Sequence, residues 1–250
     1  MTRCRLLVDL PAPGAWNMAV DEFLLAWTAE NRVPVFRLYR WDEPTLSLGY
    51  FQRFDDRRQH PASMACPVVR RPTGGGAIVH DAELTYSIAV PVGHPLAVDR
   101  LGLYRQVHQT LIETLSHWDG TASLWDSAQP LAPETPFLCF LRRATGDVVQ
   151  SGQKVGGSAQ RRTAGAVLQH GSVLIERSAA APELPGLNDL LPIPVNTEEL
   201  IAAWTARLGS SLALEFFNAP LDQSERQQCS AIEQGVYGSD AWTIARRGQR

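Results

Sequence analysis

The stretch Arg70-Arg71-Pro72-Thr73-Gly74-Gly75-Gly76-Ala77-Ile78-Val79-His80-Asp81 joins two apolar runs, residues 67–71 and 77–79, through three consecutive glycines. Apolar runs separated by a glycine cluster read as two strands around a turn. Three residues without side chains let a backbone approach a ligand closely and aim N–H groups at a carbonyl or phosphate oxygen. A bare triple glycine is equally a plain hairpin turn. The stretch lacks the Lys-Ser/Thr ending of a P-loop and the spacing of a dinucleotide fingerprint, so it carries neither nucleotide motif. The flanks set it apart: a basic pair, Arg70-Arg71, precedes it and His80-Asp81 follows.

Working outward, residues 6–10 read as a strand, and Asn17 offers an N-cap for a helix over 18–29 whose Val20, Phe23, Leu24 and Trp27 share one face. Further strands are predicted at 35–39, 44–50 and 84–90, beside the two that flank the glycines. Asp99 caps a predicted helix over 99–118 with Leu103, Val107, Leu111 and Leu115 at helical spacing. Residues 120–136, rich in Pro, Ala and Ser, read as a loop or mobile cover. Short strands follow at 147–149, 156–161 and 172–175, then a Pro/Leu-rich link over 182–194 and helices near 197–208 and 221–234. Clustered strands with helices before and after them predict an α+β fold, residues 1–250 forming one domain with a helical tail from about 195.

A net charge of -3 and 20% charged residues point away from a nucleic-acid scaffold or a polybasic membrane anchor. No apolar run approaches the roughly 18 residues of a spanning helix, and residues 6–10 are too short for a signal-peptide core, so a cytoplasmic setting is expected. Cys4, Cys66, Cys139 and Cys229 are scattered without zinc-ligand spacing, which favours free thiols, although an even number leaves two disulfides open. No metal site or cofactor motif is present. Of 23 basic residues all but Lys154 are arginine; strong arginine bias alone accounts for this, but a lone lysine also suits a position where a planar guanidinium cannot replace a compact amine.

The glycine stretch, the run Asn17-Met18-Ala19-Val20-Asp21-Glu22, Arg40-Trp41, residues 44–49, Gly152-Gln153-Lys154-Val155-Gly156-Gly157-Ser158-Ala159-Gln160-Arg161 and Leu168-Gln169-His170-Gly171-Ser172 together resemble the superfamily of lipoate-protein ligases, octanoyltransferases and biotin-protein ligases. The resemblance covers roughly residues 5–180 and reaches more weakly to Tyr237 and Trp242. It implies that family's catalytic-domain fold, a mixed, largely antiparallel central sheet flanked by helices. It also implies an acyl site built from Arg71, Gly74, Gly75, Gly76, His80, Ser158, Ala159, His170 and Gly171, with Lys154 at its centre.

Cys139, in Phe137-Leu138-Cys139-Phe140, stands fifteen positions before Lys154. Taken alone, a cysteine beside Leu and Phe is usually an inert buried residue. A Cys-Phe placed so before the lysine segment is, however, similar to the octanoyl carrier-protein transferase branch, where the thiol carries the acyl group. An ordinary thiol, with pKa about 8.5, is only a few per cent thiolate at neutral pH and needs a nearby cation; the resemblance assigns that part to Lys154. It further implies octanoyl-acyl carrier protein as donor and lipoyl domains of 2-oxoacid dehydrogenases or the glycine cleavage H protein as acceptors; His80 and His170 are candidates for a base, or only hold the loop or pack in a strand. Arg70, Arg71, Arg142, Arg143, Arg161 and Arg162 are candidates to close the pocket or face an acidic carrier, or are simply solvated. Leu46, Val79 and Tyr86 are candidates for the tail slot or for core. Three rival readings remain: an ATP- and Mg-dependent ligase holding an acyl-adenylate, an amidotransferase taking octanoate from one lipoylable protein to another, and a module that only sequesters acyl groups. Some forty residues after 208 are expected to be too few for a ligase's accessory domain.

Overall fold

The computed structural model describes residues 1–126 and 136–246. In chain order its elements are β1 (Thr2–Val8), α1 (Gly14–Asn31), β2 (Val35–Tyr39), β3 (Thr45–Leu48), β4 (Val68–Arg70), β5 (Ile78–His80), β6 (Glu83–Pro91), α2 (Arg100–Leu115) and β7 (Ser123–Leu124). There follow β8 (Val148–Gln150), β9 (Gln153–Arg162), β10 (Ala166–Leu174), α3 (Leu187–Leu190), α4 (Thr197–Ser211), β11 (Leu214–Asn218), α5 (Gln223–Ile232) and α6 (Asp240–Thr243).

Eight strands form one sheet in the order β11-β1-β2-β6-β10-β9-β8-β7, and β4-β3-β5 form a second, small sheet. In the large sheet only β1 runs parallel to its neighbours, β11 and β2; the pairs from β2 through β7 are antiparallel. This is the mixed, largely antiparallel α+β arrangement expected. The stripe Leu103, Val107, Leu111 and Leu115 of α2 packs with Trp204 of α4 over Phe36, Tyr86 and Ile88 on one face. On the other, Val20, Phe23 and Leu24 of α1 cover Leu7, Val35, Ala89 and Leu168, with Trp27 only half-buried at the margin. Both faces being covered, β6 is buried along its whole length. Trp204, fully buried, donates from its indole N–H to the Thr110 hydroxyl at 2.9 Å, so its polar atom costs nothing on burial.

Three expectations are corrected. Asn17 caps no helix: α1 begins a turn earlier with Pro13 as N-cap. The Asn17 amide is buried in the first turn, donating to the Ala12 and Arg40 carbonyls at 3.0 and 3.1 Å and accepting from Arg37 at 2.9 Å. The region beyond 195 is not wholly helical, because β11 adds a parallel edge strand to β1; its exposed Glu215 and Asn218 blur the alternation that marks a strand. The link over 182–194 contains the single turn α3. Asp99 does cap α2, its carboxylate accepting from the Leu101 N–H at 3.0 Å. Within the stretch read as a loop or cover, Ser123–Leu124 pairs with β8, and residues 127–135 lie outside the described residues.

A candidate acyl-transfer cleft between the two sheets

A cleft lies between one face of the large sheet and the small sheet. Gly157, Ser158 and Ala159 of β9 and His170, Gly171 and Ser172 of β10 line one wall, and Arg71, Gly74, Gly75, Ile78 and His80 the other, with Cys139 and Phe140 at an end. The glycine stretch crosses from β4 to β5 as an irregular loop in which Gly75 has φ 98°, a backbone conformation that disfavours any side chain. Arg71 reaches back beneath it, donating to the carbonyls of Gly74 (2.9 Å), Gly76 (2.6 Å) and Ser47 (3.1 Å). Burial pushes the Arg71 guanidinium down to about 10, against the pull of Cys139 and with the push of Arg142, so it remains charged at neutral pH. The N–H groups of Gly74, Gly75 and Gly76 engage no partner among the described residues; Gly74 and Gly75 line the cleft, whereas the buried Gly76 does not.

Cys139 opens a short 3₁₀ turn, Cys139–Leu141, where the chain pairs with the loop's exit: the Ala77 N–H donates to the Phe137 carbonyl at 3.0 Å and the Cys139 N–H to the Ala77 carbonyl at 2.7 Å. The Lys154 amine lies 3.7 Å from the Cys139 sulfur. Its Nζ also stands 2.8 Å from Asp147 Oδ2 and 5.2 Å from the Phe140 ring centroid, the Lys154 and Asp147 side chains being only 4% and 1% exposed. Asp147 is anchored in turn: Oδ2 accepts from the Ala144 N–H at 2.7 Å and Oδ1 from the Tyr104 hydroxyl at 2.7 Å. The cleft end is therefore a half-buried sulfur beside a fixed ammonium, with the charged Arg71 nearby.

Both histidines line the cleft but differ in what they have free. His170 uses both ring nitrogens: Nδ1 lies 3.2 Å from Asp21 Oδ2, and Nε2 takes the Thr73 hydroxyl at 2.7 Å. Burial draws the Asp21 carboxyl upward, but the His170 hydrogen bond, the Arg37 charge and the Ser87 hydroxyl outweigh it and leave it below the ordinary range. His80 stacks on Trp41 at 3.9 Å and turns Nδ1 to Glu83 at 3.0 Å, leaving Nε2 without a partner among the described residues. Burial lowers the His80 imidazole below its usual value in spite of Glu83. Ser158 lines the cleft, while its hydroxyl is taken by Tyr86 and by His108 of α2, each at 2.5 Å.

Other expected residues sit elsewhere. Arg70 and Arg71 are neither solvated nor turned to a partner: Arg70, fully buried, donates to the carbonyls of Gly49, Tyr50, Gln52 and Thr243. Leu46, Val79 and Tyr86 are core and do not line the cleft. Arg143 donates to the Gly152 carbonyl and lies over Trp125, and Arg162 donates to Ala97. The half-exposed Arg142 covers Gly76, where an added Cβ would meet its guanidinium. All four cysteines are free, and burial pushes the Cys4 and Cys229 thiols up to about 12, far from reactivity. Among the described residues no cluster of three or more His, Cys, Asp or Glu is placed to hold a metal, and no helix is long and apolar enough to cross a membrane.

Asp147 and His108 escaped sequence reasoning, and Asp21 and Thr73, though part of the runs that carry the resemblance, were given no role of their own. For Asp147 a signal existed, since a buried lysine requires a counter-ion and an acid seven positions upstream was a candidate; for the others only the fold supplies the contact.

The model of the lipoyl protein ligase A/B catalytic domain matches residues 13–184. Octanoyltransferase LipM of Kyrpidia tusciae is 32% identical over 271 residues, covering 97% of this chain and 98% of that protein; octanoyltransferase LipM of Lysinibacillus sphaericus is 30% identical over 261, covering 92% and 94%. In fold the chain is similar to the bipartite lipoate protein ligase of Thermoplasma acidophilum (TM-score 0.79, 18% identity, 100% and 99% covered) and to a lipoate-protein ligase A bound with ATP (TM-score 0.77, 19% identity, 98% and 99% covered). With motif order, fold and family model in agreement over most of its length, this chain belongs to the lipoyl protein ligase A/B catalytic domain family.

Proposed function

We propose that the protein is a cytoplasmic acyltransferase that moves an octanoyl group from octanoyl-acyl carrier protein to a lysine of a lipoyl domain or glycine cleavage H protein, in protein lipoylation. The observation that carries this reading is the 3.7 Å approach of the Lys154 amine to the Cys139 sulfur beside the glycine loop. The names of the full-length relatives, octanoyltransferases, support it.

In this reading the Cys139 thiolate attacks the donor thioester. A bond forms from its sulfur to the carbonyl carbon, the carrier's own carbon–sulfur bond breaks, and the carrier sulfur leaves as a thiolate that takes up the proton Cys139 gave up on ionising. Lys154 and the free N–H groups of the glycine loop stabilise the oxyanion. The acceptor amine then attacks the enzyme thioester, forming an amide and returning the sulfur. Of the two histidines, His80 has the free nitrogen to take the amine's proton, while His170 holds the loop. Met18, Ile78, Phe140 and Ala159 give the tail an apolar lining, and the half-exposed Arg142 over Gly76 of the glycine loop meets an acidic carrier. A thioester already carries the energy of the amide, so the reaction needs no ATP, metal or cofactor beyond the donor's phosphopantetheine.

The test is an assay with octanoyl-acyl carrier protein and an apo lipoyl domain, with and without ATP. ATP-independent transfer is expected, and Cys139→Ser abolishes it while the circular dichroism stays that of the parent. Transfer from free octanoate only with ATP makes the protein a ligase; preference for octanoyl-H protein makes it an amidotransferase.

A further inference from the structure

The covalent reading above, on which this inference rests, creates a hazard inside the enzyme. An octanoyl thioester on Cys139 sits beside an amine 3.7 Å from the sulfur. Well-oriented groups held in one site reach effective molarities on the order of 10⁵ M or more, so a neutral Lys154 beside the thioester would compete with an acceptor arriving from solution. That reaction is an S-to-N shift. The Lys154 nitrogen bonds to the acyl carbon, the Cys139 carbon–sulfur bond breaks, and the proton released by nitrogen passes to sulfur, leaving a stable octanoyl amide and a dead enzyme.

We propose that Asp147 is a positioning residue that prevents this self-acylation by holding Lys154 as an ammonium, which has no lone pair to attack with, while keeping its charge turned to the sulfur. The carboxylate stands 2.8 Å from Nζ, and burial of both side chains ties the charge of one to that of the other, because either ion alone would be stranded out of water. It cannot swing away: the Ala144 N–H and the Tyr104 hydroxyl bind its two oxygens, and Tyr104 is itself fixed by accepting from the Ser158 N–H at 3.1 Å. The Phe140 ring face, 5.2 Å from Nζ, favours the cation further. Lys154 is the chain's only lysine, so no other side-chain amine obscures the outcome.

The full-length protein is incubated with octanoyl-acyl carrier protein and no acceptor, and the adduct is mapped by mass spectrometry before and after neutral hydroxylamine, which cleaves thioesters and spares amides. The unaltered protein carries one octanoyl group on Cys139, removed by hydroxylamine. Asp147→Asn accumulates a hydroxylamine-resistant octanoyl group on Lys154, at least about ten-fold above the parent at equal time. Tyr104→Phe, which leaves the carboxylate in place and serves if Asp147→Asn does not fold, gives an intermediate amount. A loss of packing alone would lower all acylation without changing its chemistry. Variants that carry only the labile Cys139 adduct overturn the proposal. An unaltered protein that forms no labile adduct instead defeats the covalent reading itself.

Discussion

A Cβ at Gly157 would lie 2.5 Å from Cε of Lys154 and 2.9 Å from its Nζ. The bare backbone there is what lets the amine cross β9 to reach the sulfur. Gly157→Ala should therefore push the amine aside and slow the first acylation by roughly 10²-fold, the usual cost of misplacing a reacting group by an ångström. Lys154→Arg should slow it as well, since the wider planar fork has no room in the same slot. Rapid-quench measurement of the enzyme thioester reads both, and rates equal to the parent's would show that the lysine's placement does not matter. Cys139 and Lys154 were singled out through the family resemblance, whereas Asp147 was given no role, because that role depends on the distance from its carboxylate to an amine seven positions along the chain.

At the scale of the element, the glycine loop is held by two side chains as well as by backbone pairing at its ends. Arg71 ties its carbonyls from below, and Thr73 ties it to β10 through His170 and thence to Asp21 of α1. Thr73→Val keeps the shape and removes the hydroxyl, leaving the buried His170 nitrogen unpaired at a cost of about 1–3 kcal/mol. At this chain length each kcal/mol lowers the melting temperature by about 2–4 °C. Calorimetry should show that drop, the donor KM should rise as the loop loosens, and Thr73→Ser should restore both. The same connection explains why Asn17 misled. An amide in the first turn of a helix looks like a cap in sequence, yet here it meets the buried Arg37 and the carbonyls beside β1 and β2, contacts that no local pattern records.

Across the whole molecule, the buried imidazoles set the acid limit of stability. His108 donates from Nδ1 to the Gly146 carbonyl at 2.6 Å and accepts from Ser158 at Nε2, and burial pushes it down to about 4 from 6.5, with a smaller opposing pull from Gly146 and Asp147. Above pH 6.5 the ring is neutral in both the folded and unfolded chain and contributes no pH dependence. As pH falls from 6.5 to 4 only the unfolded chain takes up the proton, so stability declines through that window, by about 3 kcal/mol in all. His80, also lowered by burial, acts in the same direction. The depressed Asp21 carboxyl adds a further loss at lower pH, beginning as the pH drops through 3.8. Urea titrations at pH 7.5, 5.5 and 4.5 should show the decline, and His108→Gln should flatten it between 6.5 and 4; an unchanged slope would exclude this ring as its source.

The sequence by itself determined the α+β class, the two long helices with their apolar stripes and the glycine turn. These are legible because periodicity, capping and residue type are local properties of a chain. Only the tertiary structure decided that Lys154 and Cys139, fifteen positions apart, end 3.7 Å from each other, that His170 is spent on the loop while His80 keeps a free nitrogen, and that Arg70 is a buried clamp rather than a docking surface. Those outcomes follow from strand register, from which face of the sheet a side chain occupies and from the pairing of buried charges. All three depend on residues distant in the chain meeting in space.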